Sequence, residues 1–275
     1  MEMRNIIVTS GRAPVFKGLL RTADNSLADF LLLDRFPRAH IPDYDAYEAE
    51  GRKPVVQYVV KHLQGQDKIK VSHGNCTIFS EKPNHEEFAY VLLALFEAVR
   101  NSEGQYTLHA SAMAKDGKGV MFLGARGSGK STMCQELIAR EWDYVSDEHT
   151  VLQGRNIIGG CTVSVPREGE VISVQGLRSL EVALVVTPKL SERDVLLEDR
   201  WGEWLASLKL YEEASEIIRG IGIRLGSAPL MPLDTERGAA SRLEWAKEFT
   251  SSVPFVFAEG NKRAIGDHIE ALLRR

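Results

Sequence analysis

With 275 residues, of which 44% are hydrophobic and 26% charged, the chain can bury a sizeable core as one large domain or two smaller ones. Its net charge of −4 gives no global basic field to concentrate nucleic acid. Cys76, Cys134 and Cys161 are too scattered for a zinc site or a disulfide framework. The opening Met1-Glu2-Met3-Arg4-Asn5 lacks the apolar core of a signal peptide, and no apolar run is long enough to span a bilayer. The expectation is a cytoplasmic protein with buried free thiols and neither a nucleic-acid nor a membrane partner.

Residues 1–104 read as a β-rich region, with strand-like runs at Ile6–Val8, Phe30–Leu33, Val55–Val60 and Cys76–Phe79. Turns are expected around Pro37, Pro42 and Pro54. A helix follows: Asn84 is placed to cap it, Glu86 and Glu87 fall in its first turn, and Phe88, Val91, Leu92, Leu95 and Val99 recur at helical spacing. Residues 105–275 form a second region. Thr107–Met113 reads as a strand, Asp116–Gly119 as a turn, Val120–Leu123 as a short apolar strand, Ser131–Arg140 as a helix, and Tyr144-Val145 as the start of another strand. Further strands are expected at Thr162–Val165 and Glu181–Val186. Trp201, Trp204, Leu205, Leu208 and Tyr211 make a helical stripe that reads as core packing. A helix through Trp245, a strand at Pro254–Phe257 and a last helix from about Arg263 complete the region.

Between the apolar strand and its helix stands Gly124-Ala125-Arg126-Gly127-Ser128-Gly129-Lys130-Ser131, followed by Thr132. Glycines let such a loop curl so that successive N–H groups and the positive end of the next helix cradle phosphate oxygens. Lys130 adds a point charge for the β- and γ-phosphates, and Ser131 a hydroxyl for Mg²⁺. Strand, Gly-rich loop, helix and strand are the parts of a P-loop domain, so residues 124–132 are assigned to nucleotide, with ATP and Mg²⁺ as ligands. The loop does not choose the reaction.

Two flanking groups bear on that choice. Asp147-Glu148 is expected at the end of the strand after the loop helix, where one carboxylate can anchor Mg²⁺ and the other accept a proton. His109 lies in the strand pair that delivers the loop, and by its chemistry alone reads as a structural histidine. Leu108-His109-Ala110, then Gly124–Ser131, then Val145-Ser146-Asp147-Glu148 resembles the catalytic core of HPr kinase/phosphorylase. It is closer still to the shorter HPr-kinase-related proteins, which include kinases that phosphorylate ribosomally made peptides such as lasso-peptide precursors.

The resemblance covers residues 105–150 well and the rest in outline. It implies an α/β fold of the HPr kinase/phosphoenolpyruvate carboxykinase type with a mixed sheet, and phosphoryl transfer to a serine hydroxyl of a peptide or small protein. By matching position, Asp147 is the general base, Ser131 and Glu148 serve Mg²⁺, and His109 lies near the transferred group; Lys130, read from the loop itself, is catalytic through its charge on the phosphoryl oxygens. Glu148 departs from the family's second Asp. Val174-Gln175-Gly176-Leu177 is only a faint echo of the Gly-rich block that accompanies dephosphorylation, so neither phosphorylase activity nor HPr itself as substrate is expected. Arg167 and Arg178 are further candidates to meet phosphate or an acidic substrate. Residues 1–104, which carry no chemical motif, are a candidate recognition region. A small-molecule kinase on the same core and a nucleotide-hydrolysing switch or ATPase are the alternatives. The sequence names no oligomer interface.

Overall fold

The computed structural model describes residues 3–11, 15–49, 58–63, 68–72, 75–80, 84–161, 166–167, 170–171, 179–192, 196–230 and 232–274. The chain forms two compact units, Met1–Glu103 with Ser215–Glu236, and Gly104–Ala214 with Arg237–Arg275.

The first unit opens with the antiparallel pair β1 (Arg4–Ser10) and β2 (Phe16–Thr22). Phe30–Leu33, expected as a strand, is instead the end of helix α1 (Asn25–Leu33). The cause lies just upstream: the Asp24 side chain accepts from Ser26 N and Leu27 N, satisfying donors that a helix start leaves open. Leu27, Ala28 and Leu31 then share one buried face, while Leu33 stays 78% exposed. Pro37, expected in a turn, sits in the first turn of α2 (Arg35–His40), where its missing N–H has no intrahelical partner to lose. With β3 (Asp45–Glu48), β4 (Tyr58–Leu63), β5 (Lys68–Ser72) and β6 (Asn75–Phe79), the sheet is mixed and ordered β3-β1-β2-β4-β6-β5. Pro54 and the expected strand residues 55–57 lie outside the described residues. Helix α3 (His85–Ser102) begins at Asn84, whose side chain accepts from Glu86 N and Glu87 N. Its Phe88, Val91, Leu92 and Leu95 join Ile6, Val8, Leu20, Leu27 and Leu31 in one buried cluster.

In the second unit the expected strand Thr107–Met113 is broken at His109 into β7 (Gln105–Leu108) and β8 (Ala110–Lys115). Strand β9 (Lys118–Leu123), helix α4 (Lys130–Ile138) and strand β10 (Asp143–Gln153) follow. Because β8 is antiparallel to both β9 and β10 and lies between them, β9 and β10 run parallel, with α4 as their crossover. Strand β11 (Asn156–Cys161) pairs with β10, and the short hairpin β12 (Pro166–Arg167) and β13 (Glu170–Val171) comes next. The expected strand at 162–165 lies outside the described residues. Strand β14 (Leu180–Leu190) is parallel to β9 and also touches β11 at Asn156 and Ile157, closing β10-β8-β9-β14-β11 into a ring.

After β15 (Leu197–Arg200), helix α5 (Glu203–Glu216) leads to β16 (Arg224–Leu225) and β17 (Ala228–Pro229), which pair within the first unit. Helix α6 (Glu236–Ser252), strand β18 (Phe255–Gly260), parallel to β14, and helix α7 (Lys262–Leu273) end the chain. The stripe expected in the core is split: Trp201 and Tyr211 are partly buried and pack against the cluster under the sheet, whereas Trp204, Leu205 and Leu208 are 70%, 52% and 37% exposed. Helix α5 presents a second set at the same periodicity, Ala206, Leu210 and Ala214, and that set packs with Ala110 and Leu123 of the sheet. Among the described residues no helix is long and apolar enough to cross a membrane.

Candidate active site

Strand β9 ends at Leu123, and the loop from Gly124 leads directly into α4. Gly129, at the helix N-cap, has φ 104° and offers no side-chain cap, so the first amides of α4 and its positive end face the space the loop encloses. A Cβ on Gly129 would stand 2.5 Å from Leu190 Cγ at the end of β14, so both conformation and space call for glycine. Ser128 N donates to Ala125 O at 3.1 Å and tightens the turn. Ala125, Arg126 and Gly127 are exposed at its tip, Ser131 is exposed, and Thr132 is half-buried. Ser128 Oγ is buried and has no hydrogen-bond partner among the described residues.

Lys130 is buried, and its Nζ donates to Gly124 O at 2.8 Å and Ala125 O at 3.3 Å. Burial draws its pKa below the usual lysine range, while the charges of Glu148, Glu213 and Asp147 act against that shift. The hydrogen bonds of this ammonium go to neutral carbonyls, and an anion in the loop would offer it a stronger, charge-assisted partner.

The two acids are in the middle of β10, not at a strand end as expected. Ser146 pairs with Ala112 of β8 and Thr150 with Leu108 of β7, and both pairs belong to one register. Counting along it sets Asp147 opposite Ser111 and His149 opposite His109. The ladder fails between those pairs, where β7 and β8 break at His109 and β10 bulges against β11 between Asp147 and Thr150. Glu148 takes φ 58° there. A bulge re-aims side chains that strict alternation would send to opposite faces. Asp147 Oδ2 comes within 3.4 Å of the Ser131 hydroxyl, which donates to it. Glu148 Oε2 lies 3.5 Å from His109 Nε2. Ser146 Oγ donates to His149 O at 2.8 Å and Thr150 Oγ1 to Ala110 O at 2.8 Å, pinning the bulge at both ends.

The loop, Lys130, Ser131, Asp147, Glu148 and His109 are therefore gathered at the ends of β9 and α4 and the break in β7–β8. The side chain of Arg167, Arg178 and the segment 174–177 lie outside the described residues. Two polar groups at the site escaped the sequence reading. Ser111 donates to Asp147 Oδ1 at 2.5 Å, and Glu213, buried on α5 and bridged to Lys209 at 2.8 Å, adds its charge near Lys130. Neither belongs to a motif. Only the strand register identifies Ser111, and only the packing of α5 identifies Glu213.

The donors beside the loop are oxygens, a hydroxyl and a carboxylate, which suit a hard cation such as Mg²⁺. Among the described residues no group of three or more His, Cys, Asp or Glu could hold a metal by itself. A cation shared with phosphate oxygens needs only one or two protein ligands.

No family model matches the chain, and no curated protein matches it. A solved structure described as the Hpr(Ser) kinase/phosphatase from Coxiella burnetii aligns with 61% of this chain and 93% of its own, at 18% identity and a TM-score of 0.26.

Proposed function

We propose that the chain binds ATP with Mg²⁺ on the loop at 124–132 and transfers the γ-phosphoryl group to a hydroxyl, the acceptor being a serine of a peptide or small protein. The observation that carries this reading is the convergence of Ser131, Asp147, Glu148 and His109 at the mouth of an uncapped, glycine-led helix N-terminus. Ser131 and the acids at 147 and 148 would hold Mg²⁺, which when bound neutralises charge on the phosphoryl oxygens. Lys130 exchanges the carbonyls of Gly124 and Ala125 for phosphate oxygens, a stronger, charge-assisted pairing. Asp147 takes the proton of the acceptor hydroxyl, and His109, whose Nε2 lies 3.5 Å from Glu148, borders the group in transfer. Residues 1–104 are assigned to recognition of the acceptor.

The test is transfer of label from γ-labelled ATP with Mg²⁺ to candidate serine peptides or to an extract, beside a reaction with no acceptor. Label on a peptide supports the reading, whereas acceptor-independent phosphate release at the full rate replaces it with an ATPase. Asp147→Asn is expected to slow transfer by about 10²–10⁴-fold while nucleotide binding without Mg²⁺ is retained. Near-wild-type transfer by this variant removes Asp147 as the base.

A further inference from the structure

Asp147 presents its two carboxylate oxygens to different surroundings. Oδ1 points inward, accepting from the fully buried Ser111 hydroxyl at 2.5 Å and from Glu148 N at 3.0 Å. Oδ2 points outward, toward the Ser131 hydroxyl at 3.4 Å. A carboxylate with one oxygen held by two donors cannot rotate freely about its last torsion, so the direction of Oδ2 is fixed from behind. The backbone bond comes from the bulge itself and survives any side-chain change. The hydroxyl is the part the side chains supply.

We infer that Ser111 is a positioning residue: it fixes the Asp147 carboxylate so that Oδ2 and the Ser131 hydroxyl converge on a common point where Mg²⁺ and nucleotide phosphate meet. The inference rests on the nucleotide reading above and adds a residue that touches neither ligand. Partners behind a metal-binding carboxylate are typically worth about 10–100-fold in metal affinity.

The experiment measures binding of a fluorescent ATP analogue with and without Mg²⁺, so that the gain in affinity due to the cation is read separately from phosphate binding by the loop. Ser111→Ala is expected to reduce that gain by about 10–100-fold and to leave Mg²⁺-free binding within about twofold, the latter also reporting that the loop is folded. Ser111→Cys keeps the volume but donates weakly, and is expected to lose most of the same gain. Asp147→Asn should lose it as well, and Ser111→Ala added to Asp147→Asn should cost nothing more, because Ser111 acts through that carboxylate. A Ser111→Ala protein with the full Mg²⁺-dependent gain, or losses that add in the double variant, overturns the role of Ser111 alone. Wild-type protein that binds the analogue no better with Mg²⁺ than without it overturns the nucleotide reading, and the role of Ser111 falls with it.

Discussion

Two glycines of the loop, two residues apart, should respond very differently to the same added methyl. Gly127 has φ 81° and open space where a Cβ would go, whereas Gly129 has φ 104° and a Cβ position 2.5 Å from Leu190 Cγ and 2.6 Å from Leu190 Cδ1. Gly127→Ala therefore meets only the left-handed backbone penalty, about 1–2 kcal/mol. Gly129→Ala meets a backbone strain of about 1–3 kcal/mol and an overpacking cost of about 1–3 kcal/mol, because Leu190 ends a central strand and packs on the cluster beneath α4. At about 2–4 °C per kcal/mol for a unit of this size, Gly129→Ala should melt roughly 4–24 °C lower and Gly127→Ala roughly 2–8 °C lower. All four tryptophans, Trp142, Trp201, Trp204 and Trp245, lie in the second unit. Intrinsic fluorescence therefore follows the melting of the unit that carries the loop. Equal melting temperatures for the two variants would refute the close approach of Leu190 to the loop and the glycine requirement derived from it.

Lys130→Met keeps the length of the side chain and removes its charge. It should weaken binding of an ATP analogue by about 10–100-fold, the worth of a charged hydrogen bond of about 1.5–3 kcal/mol, with tryptophan fluorescence unchanged; equilibrium titration reads it. In the first unit, buried His62 has Nδ1 3.4 Å from Thr22 Oγ1 and an Nε2 with no hydrogen-bond partner among the described residues. Burial holds its pKa below the ordinary 6.5, with Asp24 opposing and His85 adding to the shift. The unfolded chain takes up the proton first, so this group's contribution to stability is complete above about pH 6.5 and is lost as pH falls toward the folded pKa. His62→Leu should flatten that slope, measured by amide hydrogen exchange in β2 and β4 as a function of pH. An unaltered slope would mean that another group carries it.

How much of the fold could be read from the sequence depended on whether the signal was local. Asn84 with Glu86 and Glu87 marks the start of α3 because a cap satisfies helix donors within three residues, and the structure uses those groups. The segment at Phe30–Leu33 shows the limit. Four consecutive apolar residues fit a buried strand or a short helix equally well by periodicity. The deciding group, Asp24, is six residues upstream of Phe30 and looks like an ordinary loop acid until its cap is seen. The stripe around α5 held only in part, for another reason. Periodicity defines sets of residues on a helix, but the sheet it meets selects which set is buried, and here it selected Ala206, Leu210 and Ala214, with Trp201 and Tyr211 at the edge of the cluster, over Trp204, Leu205 and Leu208.

The candidate site divides along the same line. The loop from Gly124 to Ser131 is a local device, since its glycines, lysine and hydroxyl act within one turn of chain and one helix end, and its spacing alone points to phosphate. The acids were visible as residues, but their placement was not. A pair at a strand end needs no special backbone, whereas a pair within a continuous strand must face opposite ways unless the strand is broken. Strand β10 resolves this by bulging where β7 and β8 separate, with Glu148 at φ 58°. No residue type at 147–149 announces that bulge, because it arises from β10 pairing with two different strands in one register. The same register sets Ser111 behind Asp147. That hydroxyl belongs to no spacing rule: it is 36 residues from its partner and becomes meaningful only once the strands are aligned. The part of the site that binds phosphate is thus encoded along the chain, and the part that aims the carboxylates is encoded across the sheet.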